Sequence, residues 1–233
     1  MTQNQIPATP SQLGIRPVAA LSVGFLSQAF AWMFVGLLLT AAVAWVVQGS
    51  PTLVAMASQW FFLVIILQFG LVIGISAGIR KLTATAALGL FLVYAATMGV
   101  TMSFIFIAYS LPSIGAAFVS AAGMFAAAAA YGAVTKRSLA SMGGYLFMGL
   151  IGLVIAMLVN LFVRSDALGY VISFLGVGIF VGLTAWDVQK ISRGDLAVAT
   201  GSMEKGAVIG ALSLYLDFIN IFLFLLRIFG GRN

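Results

Sequence analysis

The stretch Ala211-Leu212-Ser213-Leu214-Tyr215-Leu216-Asp217-Phe218-Ile219-Asn220 decides the fold. It lies within an apolar run over 208–229, and a helix of about 20 largely apolar residues is long enough to cross a bilayer. Asp217 stands well inside that run, about nine residues or roughly 13 Å past its first residue at 1.5 Å per residue. At about 100° per residue, Gly206, Gly210, Ser213, Asn220 and Arg227 share an arc of about 100° with Asp217, and Leu, Ile and Phe fill the rest of the wheel. A polar stripe on a membrane helix must face protein or water, because hydrocarbon offers a charge no partner. The run is therefore expected at the centre of a helical bundle.

Working outward, six further apolar runs precede it, over 21–47, 53–79, 83–109, 113–134, 145–163 and 168–186. The composition agrees. Of 233 residues, 63% are hydrophobic and 7% charged, whereas about a quarter of a soluble globular domain is charged. Disorder needs the opposite balance. The runs do not alternate as outer-membrane strands do, so the expected class is an all-α integral membrane protein of seven transmembrane helices, the last one wrapped by the other six. With no Cys and no His, disulfides, thiol nucleophiles and imidazole catalysis are excluded, and zinc and haem lose their usual ligands. The net charge of +6 reflects topology rather than nucleic acid, since no basic cluster exceeds two residues.

The breaks between runs alternate. Gln48-Gly49-Ser50-Pro51 and Ser110-Leu111-Pro112 are uncharged, whereas Arg80-Lys81, Lys136-Arg137 and residues 190–205 carry cations. Cytoplasmic loops collect Lys and Arg. Arg16, Arg80, Lys81, Lys136, Arg137, Lys190, Arg193 and Lys205 then lie inside, and Arg164, Arg227 and Arg232 outside. This gives a cytoplasmic N-terminus and an outer C-terminus if the seventh run crosses fully. A re-entrant seventh run would return Arg227 and Arg232 to the inside, which the same rule accepts. Residues 1–20 are polar with three prolines and read as a disordered cytoplasmic tail. Residues 21–233 form a single transmembrane domain, and the first run is too long for a signal-peptide core.

Five acids must be placed. Asp166, Asp195 and Glu204 fall in loops. Asp187 stands at the inner end of the sixth run, where Ser173, Gly176, Phe180 and Thr184 share its face. Sequential antiparallel helices can bring that face against the polar stripe of the seventh, so Asp187 and Asp217 are expected to meet. Two buried carboxylates close together share a proton and titrate as a unit, which makes the pair a candidate pH sensor. The alternative is that Asp217 only hydrogen-bonds helices together and Asp187 only ends its helix. Arg80 could latch onto Asp187, or anchor among the headgroups.

At these residues the chain resembles the Bax inhibitor-1 family, and especially its bacterial YccA-like branch. The resemblance rests on Tyr131-Gly132-Ala133-Val134-Thr135-Lys136-Arg137, on Gly144-Tyr145-Leu146-Phe147-Met148-Gly149-Leu150-Ile151-Gly152 with Asn160-Leu161-Phe162, and on Gly182-Leu183-Thr184-Ala185-Trp186-Asp187-Val188-Gln189-Lys190-Ile191. Its most specific part is the stretch quoted first, continued by Leu226-Arg227-Ile228-Phe229-Gly230. The resemblance implies a C-terminal helix wrapped by two groups of three, an aspartate pair at Asp187 and Asp217, and a latching arginine at Arg80. It also implies a pH-sensitive calcium leak, stress and cell-death regulation in eukaryotes, and, in the bacterial branch, an inner (plasma) membrane location with a membrane-anchored AAA protease as partner. Some members carry a Glu in the second span. Here the nearby polar residues are Gln59 and Gln68.

Three function classes follow. The first is a pH-sensitive calcium leak gated by Asp187 and Asp217 with Arg80 as latch. Ser213 and Asn220 add oxygens, but calcium takes six to eight, so binding at the two aspartates is weak and transient, and no resident cofactor is expected. The second is an intramembrane aspartyl protease. Thr184-Ala185-Trp186-Asp187 lacks the Gly-x-Gly-Asp signature of presenilin-like proteases, so the expectation is that the protein is not an enzyme. The third is a non-transporting regulator of an AAA protease or of stress responses, docking through the tail or residues 191–205.

Overall fold

Serine and threonine at the breaks in hydropathy become helix caps. Ser50 accepts from the Leu53 amide, Thr83 from Ala86, Ser110 from Ser113, Ser165 from Leu168 and Ser202 from Lys205. Each satisfies an amide that the first helical turn leaves without a partner. Pro51 and Pro112 occupy first-turn positions, where proline's missing N–H costs nothing.

The computed structural model describes residues 18–230, with side chains from 24 onward. Within these the helices are α1 Val18–Gln48, α2 Pro51–Gln59, α3 Phe61–Gly78, α4 Ala84–Met102, α5 Ile105–Ala108, α6 Leu111–Val134, α7 Ala140–Val163, α8 Asp166–Ser192, α9 Asp195–Thr200 and α10 Met203–Phe229. Seven segments are long and apolar enough to cross a membrane: α1, α3, α4 continued by α5, α6, α7, α8 and α10. The chain is thus an all-helical, multi-pass membrane protein. The expected tail, with Arg16, lies outside the described residues except for residues 18–20, which already belong to α1, and Arg232 lies outside them as well.

Three differences from the sequence reading matter. The second run is broken at Trp60, so that α2 and α3 are separate helices. The sixth and seventh helices are longer than hydropathy suggests. α8 continues to Ser192, so Asp187 lies more than a turn inside it, and α10 begins at Met203. Asp217 consequently stands fourteen residues into α10, about 21 Å along its axis and near its midpoint. α10 itself is unbroken; at roughly 40 Å it has ample length to cross.

α10 is the hub. It packs against α8, α1, α6 and α4, with α9 against its N-terminal end, while α3 packs chiefly on α4 and α7 on α8. Tyr215 of α10 is fully buried, and its ring meets Phe91 and Tyr94 of α4 edge-on. Its hydroxyl lies 2.6 Å from Thr40 Oγ1 of α1, and Thr40 donates to the Ala95 carbonyl at 2.8 Å. A threonine has one hydroxyl proton, so Tyr215 is the donor in that pair, and the chain of bonds ties α1, α4 and α10. On the other flank Phe218 meets Phe118 and Phe125 of α6. α6 approaches α8 so closely at Gly132 that a side chain there would strike the Ala185 backbone. In membranes, where apolar burial supplies little drive between helices, such approaches supply packing instead.

Candidate functional site

α8 and α10 are antiparallel and in extensive contact, and their polar faces meet as the wheel suggests. On α8, Ser173, Gly176, Phe180, Thr184 and Asp187 are all buried. Ser173 donates to the Gly169 carbonyl at 2.9 Å and Thr184 to the Phe180 carbonyl at 2.8 Å, which satisfies each hydroxyl within its own helix. Asp187 and Asp217 are neighbours, with Ser213 beside Asp187 and Thr184 beside Asp217. Asp217 is 4% exposed, and its Oδ2 is buried without a hydrogen-bond partner. That atom bears on the alternative posed above. A carboxylate that merely stapled helices would spend its oxygens on partners, because an unsatisfied buried acceptor costs about 1–3 kcal/mol.

Arg80 is not brought to the pair. It lies just beyond α3, is exposed, and its Nε donates to the Ala199 carbonyl of α9 at 3.2 Å. The reason is positional: α3 packs on α4 and its end reaches α9, not α8. Lys190 is the cation that pairs with Asp187, with Nζ 3.3 Å from Asp187 Oδ1 and 4.0 Å above the Trp186 ring. It is the only salt bridge among the described residues. Its signal was present in the sequence as an acid and a base three apart on one helix. The pair therefore faces one charged group, Lys190, together with the hydroxyls of Ser213 and Thr184.

Asn220 lies on the same face of α10, about one turn closer to its C-terminal end. Its Nδ2 donates to the Leu216 carbonyl at 2.8 Å, so the amide is committed to its own helix. Ser213, Leu216, Asn220, Leu223 and Arg227 form the least covered stripe of α10. Gln68 is buried and donates to Thr101 Oγ1 at 2.8 Å, joining α3 to α4, whereas Gln59 is exposed at the end of α2. Neither stands in for a second-span carboxylate at the pair. Sequence reasoning overlooked Gln189, whose Oε1 accepts from the Leu139 amide at 2.8 Å and whose Nε2 donates to the Arg137 carbonyl at 2.9 Å. It fixes the turn between α6 and α7 beside the pair. No group of three or more metal-ligating acids, thiols or imidazoles occurs among the described residues.

A multi-pass helical membrane protein whose central helix carries a buried carboxylate, paired with a second on the adjoining span, is the class that fold and site define. The chain belongs to the Bax inhibitor-1 family: residues 23–233 match the family described as inhibitor of apoptosis-promoting Bax1. It is 46% identical over 225 residues to the inner membrane protein YbhL of Escherichia coli (strain K12), covering 94% of this chain and 96% of that one. A protein of Borreliella burgdorferi is 46% identical over 214 residues, covering 90% and 92%, and one of Deinococcus radiodurans 41% over 210 residues, covering 90% and 91%.

Proposed function

We propose that the protein is a pH-sensitive calcium leak of the bacterial inner membrane, with a cytoplasmic N-terminus, in which the Asp187 and Asp217 pair is the gate and Lys190 its latch. The observation that carries this reading is Asp217 Oδ2, buried at mid-helix with no hydrogen-bond partner beside a second carboxylate. A proton shared by the pair has two places to rest, and its loss leaves two adjacent negative charges that only a cation can compensate. The ammonium of Lys190 compensates one in the latched arrangement. A calcium ion competes for the same oxygens, with Ser213 adding another, and so few ligands suit passage better than storage.

The latch also disfavours catalysis. An aspartyl protease needs both carboxylates on one water, whereas here Asp187 is engaged by Lys190. The location is supported by the inner-membrane name of the Escherichia coli relative, and the orientation by the cations gathered on one side.

Calcium flux into proteoliposomes tests the proposal. Wild type is expected to give flux that varies with pH, Asp217→Asn to lose that variation, and Lys190→Met to raise flux several-fold at neutral pH. Equal flux in wild type, Asp217→Asn and empty vesicles would sink the idea. A regulator of a membrane-anchored AAA protease would then be the better account, provided that deletion of the tail or of residues 191–205 abolishes partner capture.

A further inference from the structure

Arg80, displaced from the aspartate pair, has a second setting. It lines a cavity of about 260 Å³ between the end of α3, α9 and the first turns of α10. Its Nε is fixed by the Ala199 carbonyl, which leaves the two amino groups of the guanidinium, with four N–H donors, to other partners. Lys205 stands beside it, Nζ donating to the Arg80 carbonyl at 3.2 Å, and Lys81 follows in sequence. None of these three cations has a carboxylate partner among the described residues, and no Asp or Glu lines the cavity. The remaining wall is largely apolar, with Ile79, Leu196 and Ile209.

We propose that this cavity binds the phosphodiester headgroup of an anionic phospholipid from the adjoining leaflet. The position fits: α3 ends at Gly78 and α10 begins at Met203, so the cavity lies where spans give way to loops, at headgroup level. Basic pockets between membrane helices on the cation-rich side take such headgroups. A planar guanidinium held at one nitrogen presents the others to phosphate oxygens in fixed geometry. The apolar wall favours a lipid over a free phosphate ester, and Ile73, about one turn before Ala77 on α3, is exposed apolar surface suited to an acyl chain. Snorkelling alone would explain a lone arginine, but not its fixed Nε, the adjoining Lys205 and the cavity that Arg80 lines.

Native mass spectrometry of the delipidated protein, titrated with phosphatidylglycerol or phosphatidylcholine of the same chains, provides the test. Phosphatidylglycerol is expected to bind at least ten-fold more tightly. Arg80→Gln and Lys205→Gln are each expected to weaken it about five-fold, and the double variant on the order of 25-fold. Lys136→Gln with Arg137→Gln, two cations elsewhere on the same side, should change it less than two-fold. Lys205→Gln leaves the Arg80 to Ala199 bond intact, so it decides the matter if Arg80→Gln fails to fold. Glycerol 3-phosphate at equal concentration should leave the lipid bound; its displacing the lipid would make this a site for soluble phosphates and overturn the proposal. Equal affinity for the two lipids, or equal loss in both pairs of variants, would overturn it as well.

Discussion

α7 and α10 are both single helices long enough to cross the membrane, yet they hold opposite places. α7 carries only Ser141, Tyr145 and Asn160 as polar side chains, and of its residues only Gly143, Leu153 and Asn160 are buried. α10 carries Glu204, Lys205, Ser213, Tyr215, Asp217, Asn220 and Arg227, and most of it is buried. The less apolar helix is the core. In water the order would be reversed. In a bilayer the surroundings are as apolar as leucine, so apolar surface gains little by leaving lipid. What must leave lipid is polarity.

The sharpest way to break this comparison is to thicken each helix interface. Gly176 of α8 faces α10 so tightly that a Cβ would come within 2.5 Å of the Phe224 ring, whereas Gly152 of α7 has nothing within 4 Å. Gly176→Leu should cost roughly 3 kcal/mol of stability and Gly152→Leu close to none, read as the shift in thermal unfolding in detergent. Next come the aromatics. Phe218 of α10 is buried between Phe118 and Phe125, and Phe162 of α7 is 84% exposed. Phe218→Ala should lose about 2 kcal/mol, the packing and cavity part of a core truncation. Phe162→Ala should stay within about 0.5 kcal/mol, and equal losses would mean that transfer from lipid, not packing, stabilises the bundle. Smallest is the hydroxyl pair. Tyr215→Phe removes the bond to Thr40 and should cost roughly 0.6–1.7 kcal/mol, typical of hydrogen bonds between membrane helices. Tyr145→Phe, on the 78% exposed Tyr145 of α7, should be silent.

Much of the candidate site was legible beforehand for one physical reason: a carboxylate inside an apolar run has no local excuse. Asp217 stood out by that rule, and the wheel put Ser173, Gly176, Phe180 and Thr184 on the face of α8 that meets it. The cation beside Asp187 was less legible. Position at the end of its run lets Arg80 either reach Asp187 or anchor among the headgroups, and the choice depends on which helix lies alongside; α3 lies against α4 and Arg80 bonds Ala199 of α9. Lys190 needed only the spacing of three within α8. Gln189 gave no signal, because its partners are backbone atoms of Arg137 and Leu139, some fifty residues away. The break at Trp60 left only Ser58 and Gln59 as a trace, a polar pair too short to end an apolar run.

By itself the sequence determined that this is a membrane bundle, how many segments are long and apolar enough to cross, which helix is central, and which two acids lack a structural reason to be buried. All of these depend on partition between lipid and water, or on side chains within a turn of each other, and both are local properties of the chain. Only the tertiary structure decided that α3 and α7 form the rim, that Lys190 and not Arg80 holds Asp187, and that Arg80 faces a cavity of its own. Those outcomes depend on which backbones approach closely, as α6 and α8 do at Gly132. Such approaches join residues far apart in the chain, and hydropathy carries no record of them.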